Sequence, residues 1–139
     1  LGFRQGFLSA VNAQSTAAAR NDLQQLAAAM LNSSIEKQRF PPEAIHSADG
    51  KPLLSWRVEL LPYLNEGALS QQFHRDEPWD SPHNRTLISR MPSVFADPRL
   101  DDIPGQCQRG ETYVKVFTGP GTIFDGKPRM PHRIKDGAS

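Results

Sequence analysis

Only one cysteine, Cys107, occurs in the 139 residues. A single thiol closes no internal disulfide and supplies no CxxC or Cys/His zinc spacing, which excludes disulfide scaffolds and zinc ribbons. It leaves the compartment open, because extracytoplasmic domains can also do without disulfides. No apolar run approaches the roughly 20 residues of a membrane span. The N-terminus shows no basic segment followed by an apolar one, and it opens on Leu1, as expected of a piece trimmed or processed from a longer product. Charge of one sign is not in excess either: 16 Lys+Arg face 15 Asp+Glu, a net charge of +1 that argues against a nucleic-acid binder. The length fits one domain.

Glycine and proline are absent from about residue 7 to about residue 37, a stretch rich in Ala, Leu and Gln. These are strong helix formers, and the spacing predicts one amphipathic helix of about eight turns. Leu23, Leu26, Ala27, Met30, Leu31 and Ser34 recur at the three-and-four interval of one face, which Leu8, Val11, Ser15, Ala18 and Ala19 extend backwards with smaller side chains. Phe40-Pro41-Pro42 ends the helix, and Asp49-Gly50 marks a turn. Ser55 reads as the N-cap of a helix over 56–61 that Pro62 terminates or kinks, and a second short helix is expected over 66–73, burying Leu69 and Phe73. Ser81-Pro82 is an N-cap followed by proline at the first helical position, predicting a helix over 83–90 with Leu87, Ile88 and Met91 inside.

Beyond Pro92 the pattern turns to strands. Residues 93–95 form a short apolar run, 96–110 a polar loop, and 112–118 the clearest strand, with Val114 and Val116 on one face and Tyr113, Lys115 and Phe117 on the other. Gly119-Pro120-Gly121 reads as a turn into a further strand at 122–124, and 133–135 as the start of a last one. Helices first and strands last is the segregated order of an α+β fold. The expected organisation is a single domain over 1–139: a long helix over 7–37, loops and short helices over 38–92, and a strand-rich part over 93–139 truncated at its C-terminus.

The densest polar cluster lies in the 74–83 loop, where His74 and His83 bracket Asp76, Glu77 and Asp80. Imidazole and carboxylate are suitable metal ligands, but the spacing follows no established ligand pattern, and Pro78 and Pro82 stiffen the segment. A loop that caps the following helix is the favoured reading, with Trp79 as a plug anchoring it onto the core. Gly119-Pro120-Gly121 is no phosphate cradle, since Pro120 lacks the N–H such a loop needs. Arg109 near Cys107 can lower a thiol pKa, but no histidine is implied as its partner. No serine sits in a nucleophile elbow. Lys127, Arg129, His132, Arg133 and Lys135 make a modest basic strip that reads as a solvated edge. These residues point to no catalytic centre and no cofactor.

Several blocks in order are nevertheless specific as a set: Asn21-Asp22-Leu23-Gln24-Gln25-Leu26, Ala29-Met30-Leu31-Asn32, Phe40-Pro41-Pro42, Asp49-Gly50-Lys51-Pro52, Ser55-Trp56-Arg57-Val58, Leu61-Pro62-Tyr63-Leu64, Glu77-Pro78-Trp79-Asp80 with Asn84, Pro92-Ser93-Val94-Phe95, Thr112-Tyr113-Val114 and Ile134-Lys135-Asp136-Gly137. Over nearly the whole chain this resembles domain of unknown function 1559, a prepilin-type family expanded in planctomycete bacteria. The resemblance implies a pilin-like fold, a long helix packed on a small antiparallel sheet with short helices between them, and no catalytic residues. It also implies a prepilin-type hydrophobic helix, absent here. Asp97 before Pro98 replaces a cysteine common in relatives, so their disulfide cannot form.

The reading drawn from all this is a non-enzymatic pilin- or pseudopilin-like structural or interaction module of the cell envelope, type II secretion-like and extracytoplasmic. Its expected partners are proteins, including copies of itself or secretion and pilus subunits, with no nucleic acid, and with membrane contact only through a helix upstream of Leu1. Leu23, Leu26 and Met30 are expected to form the docking face of the helix. Trp56 and Trp79 should bury area, while Arg57 and Asp80 satisfy polar loop atoms. The competing reading is an extracytoplasmic small-ligand or metal-binding domain using His74 to His83.

Overall fold

Nothing interrupts the first helix. In a computed structural model that describes residues 2–96, 112, 114–120 and 122–124 (and, within the helix, side chains from residue 13 onward), α1 runs unbroken from Gly2 to Lys37, 36 residues and about 54 Å. It starts earlier than expected because Gly6 is tolerated inside an otherwise strong helix-forming run. It ends where Gln38 turns into the left-handed region at φ 57°, a common way to close a helix, with Phe40-Pro41 just beyond.

Among the α1 side chains described, from residue 13 onward, the buried ones lie in the last third, and Ser15, Ala19 and Asp22 are half-buried before them. Leu26, Ala29, Ser33 and Ser34 are buried and Met30 is half-buried, whereas none of the side chains from 13 to 25 is buried. The docked face is therefore rotated from the expected one. Leu26, Met30 and Ser34 lie on it, but Leu23 and Leu31 remain 57% and 50% exposed, and Ala27 is exposed as well. Size explains the rotation. Ala29, Ser33 and Ser34 let the helix axis approach its neighbours closely, which branched leucines in those positions would prevent. The neighbours are α2 (Trp56–Leu60) and two 3-10 turns, Leu61–Leu64 and Ser93–Phe95.

The sheet is antiparallel and two-stranded among the described residues: β1 (Ala44–His46) and β2 (Pro52–Ser55) pair with Ala44 opposite Ser55 and Ile45 opposite Leu54. The Asp49-Gly50 turn closes this hairpin. Gly50 has φ 79°, its N–H donates to Ser47 O at 2.9 Å, and Ser47 N–H donates to Lys51 O at 2.9 Å. The α+β class holds, but this sheet precedes the short helices. At 93–95 a 3-10 turn replaces the expected strand, because Pro92 and the tight Ala96 N–H to Ser93 O bond curl the backbone. Residues 114–117 keep the expected alternation: Val114 and Val116 pack on the core and Lys115 and Phe117 face out. They form no ladder there, and the one described pairing nearby is an isolated bridge between Thr118 and Phe124. The 133–135 strand, Tyr113 and most of the 96–110 loop lie outside the described residues.

Local capping follows the sequence closely. Ser55 caps α2 by accepting from Arg57 N–H, and Pro62 is the second residue of the 3-10 turn after it. The helix α3 (Gly67–Ser70) is shorter than expected but buries Leu69, with Phe73 buried just beyond it. Ser81 caps α4 (Pro82–Ile88), whose Leu87 is buried. At the centre Trp56 is 3% exposed. It meets Phe95 edge-on at 5.9 Å and Phe124 at 6.2 Å.

One buried charge clamps the rod to this head. Glu59 on α2 accepts hydrogen bonds from Lys37, the last residue of α1, and from Arg75 Nη1 at 2.6 Å. Burial alone would push its carboxyl up, but the hydrogen bonds and charges of Lys37 and Arg75 outweigh that and hold it below the usual glutamate range. A lowered folded-state pKa contributes stability above the ordinary value of about 4.3 and loses it as pH falls through the folded one. Glu59→Gln is therefore expected to cost about 2 kcal/mol in urea melts at pH 7, the range of hydrogen bonds to a charged group, and the gap to the parent should narrow steadily below about pH 4.

Candidate functional site

The 74–81 loop owes its shape to one side chain that the sequence reading left without a role. Asn84, on α4, is fully buried. Its Oδ1 accepts from His74 N–H at 2.9 Å, and its Nδ2 donates to the carbonyls of His74, Glu77 and Pro78 at 2.9, 3.2 and 3.1 Å. Its own N–H donates to Ser81 Oγ at 3.1 Å, closing the helix cap. A proline-rich loop has few backbone donors of its own, so a primary amide is the side chain that satisfies its inward-facing groups. The loop does cap the helix, as expected.

Its histidines stack on each other and are committed locally. The rings of His74 and His83 lie 3.7 Å apart and 5° from parallel. His74 Nδ1–H donates to Glu77 Oε1 at 2.9 Å, and His83 Nε2–H donates to Gln72 O at 2.7 Å. Those tautomers are forced, since both acceptors are oxygens without a proton. Contact with His74 first, and then with Ser81, holds Glu77 below its ordinary pKa. Among the described residues no three His, Cys, Asp or Glu side chains are grouped to hold a metal ion.

Trp79 is not a plug. Its backbone N–H donates to Leu53 O at 2.9 Å and pins the loop to β2, yet the indole is 59% exposed. Asn84 and the β2 contact already hold the loop, so no buried aromatic is needed. The indole instead walls an open apolar cavity of about 210 Å³, with Leu54, Val58, Phe73, Ile88 and Met91 as its other apolar sides and Ser55, Arg57 and Thr112 at its polar end. Most of that end bonds within the protein, but the buried Arg57 Nε has no hydrogen-bond partner there. Arg57 donates to Ser55 Oγ at 2.9 Å and to Val114 O, and lies over the Trp56 ring at 4.9 Å. Burial lowers its pKa. Thr112 Oγ1 donates to Phe95 O at 2.5 Å and accepts from Val114 N–H. Arg57 thus satisfies polar loop atoms as expected, whereas Asp80 is exposed and makes no such contact among the described residues.

Of the residues singled out from the sequence, Trp56 and Arg57 come together, and Trp79 and Arg57 share the cavity. Leu26 and Met30 belong to the helix seat, and Leu23 lies outside it. Cys107 and the basic strip at 127–135 lie outside the described residues. The contrast between the two tryptophans is measurable. Trp56→Ala should cost about 3–5 kcal/mol in denaturant melts, and Trp79→Ala less than about 1 kcal/mol. Asn84→Asp, which exchanges an amide donor for a carboxylate facing three carbonyls, should cost at least about 2 kcal/mol.

No curated protein and no solved structure matches the chain. A family model does, over residues 16–136. Its span takes in the Trp56, Trp79 and Asn84 blocks together, and the chain belongs to the family described as protein of unknown function (DUF1559).

Proposed function

We propose that the protein is a non-enzymatic, pilin- or pseudopilin-like structural subunit of the cell envelope, extracytoplasmic and self-assembling through α1. The carrying observation is the imbalance of the rod: 36 unbroken residues, of which those from 13 to 25 bury no side chain in the head. Helix propensity alone is a weak hold on so long a helix, and most helices in proteins owe their stability to packing. A neighbouring helix is the natural cover. Ala17, Ala18 and Ala19 would allow close approach, with dispersion and tight packing as the holding force.

The resemblance of the sequence blocks to a prepilin-type family supports this reading, as do the Asn84, Ser81 and Thr112 hydrogen bonds that serve the head's own architecture. No helix among the described residues is long and apolar enough to cross a membrane. The partners are other subunits of the same or a related assembly, reached through the helix. The near-neutral charge offers nucleic acid no footing.

Cysteine cross-linking of the whole gene product in its own envelope tests this. In a Cys107→Ser background, Ala18→Cys should give intermolecular disulfide dimers, while Ser89→Cys, exposed on the head, should give few. Equal yields at both positions, or none at Ala18→Cys, would refute helix-mediated assembly.

A further inference from the structure

A half-buried cation in the head has no anion beside it. Among the described residues the ion pairs join Lys37 and Arg75 to Glu59, His46 to Glu43 and His74 to Glu77, and none reaches Arg57. A guanidinium carries five N–H groups. One on Nη1 goes to Ser55 Oγ and one on Nη2 to Val114 O, both uncharged acceptors, while the buried Nε has none. Buried polar groups are almost always paired, and a desolvated charge is costly without a partner of opposite sign. Burial does work against this charge, holding the Arg57 pKa below its ordinary value.

The same guanidinium stands at the polar end of the Trp79 cavity, as the one charged group among its described lining residues. Ser55 beside it accepts from the Arg57 backbone N–H and from Nη1, which leaves its own hydroxyl proton to donate. The remaining wall is apolar, and its Trp79 side is 59% exposed. We infer that this cavity binds a small carboxylic acid with an apolar, ring-sized body, the carboxylate on Arg57 and the Ser55 hydroxyl and the body against Phe73, Trp79 and Met91. Size agrees: the space is about 210 Å³, and cavities of about 150 Å³ already take benzene. The planar fork of a guanidinium suits a carboxylate, and walls of low polarity strengthen that pairing. The same walls reject a bare hydrated anion, which would give up water for no partner. The site is independent of how α1 assembles.

Titration of the full chain with 3-phenylpropionate tests it, followed by the NMR signals of Arg57 Nε–H and the Trp79 indole N–H. Both should shift saturably, with a Kd of about 1 mM or tighter. The uncharged 3-phenylpropionamide, which keeps the body, and acetate, which keeps the charge, should each bind at least about tenfold more weakly. Trp79→Ala, which should scarcely affect stability, and Arg57→Lys, which keeps the charge without the fork, should each weaken phenylpropionate by a similar factor; circular dichroism checks their folding. If Arg57→Lys does not fold, the acid and amide pair still decides. Equal binding of acid and amide, acetate as tight as phenylpropionate, or no saturable shift up to about 20 mM overturns the inference. A carboxylate near an apolar group also ends a peptide chain: acetyl-glycyl-phenylalanine binding more weakly than phenylpropionate assigns the site to free acids, and binding more tightly assigns the same chemistry to chain ends.

Discussion

The close seat of a small-faced helix end on the head is the constraint from which the rest follows. Ala29, Ser33 and Ser34 bring α1 near α2 and the two 3-10 turns, and the Lys37–Glu59–Arg75 cluster fixes where the rod stops. The same Glu59 ties the 74–81 loop to α2 through Arg75. A charge buried on this scale is kept by its partners rather than by its own solvation, and through it helix end, α2 and loop are tied together.

From residue 13 to residue 25 α1 has no fully buried side chain, with Ser15, Ala19 and Asp22 half-buried. The amide of Asn84, the hydroxyls of Ser55, Ser81 and Thr112 and the guanidinium of Arg57 all bind the protein's own backbone or side chains. What the head presents outward is Trp79 and the apolar well beside it.

Much of this was readable in the amino-acid order. The long helix, the Ser55 and Ser81 caps, the Asp49-Gly50 turn and the Val114/Val116 alternation rest on local rules, and each appears in the structure. Facing was less legible. Leu23 and Leu31 were placed inside by periodicity, which knows the angle between residues but not how near the neighbour must come. Trp79 was placed in the core on size, which says nothing about whether the loop already has an anchor. The β1–β2 pairing went unseen because strands of three and four residues with a Pro52 start give too short a pattern. Asn84 and Glu59 were missed as keystones since their partners are loop carbonyls and distant cations that only the fold assembles. The ladder expected at 112–118 depended on pairing, which no single segment specifies.

Amide hydrogen exchange along α1 is the most direct measurement of the central claim, that the rod is one helix seated at its end and covered elsewhere only by assembly. In dilute monomer, amides from 26 to 37 should be well protected and those from 13 to 25 should exchange much faster; on assembly the second group should slow to match the first. Equal protection of both groups in the monomer, or no slowing on assembly, would contradict the account.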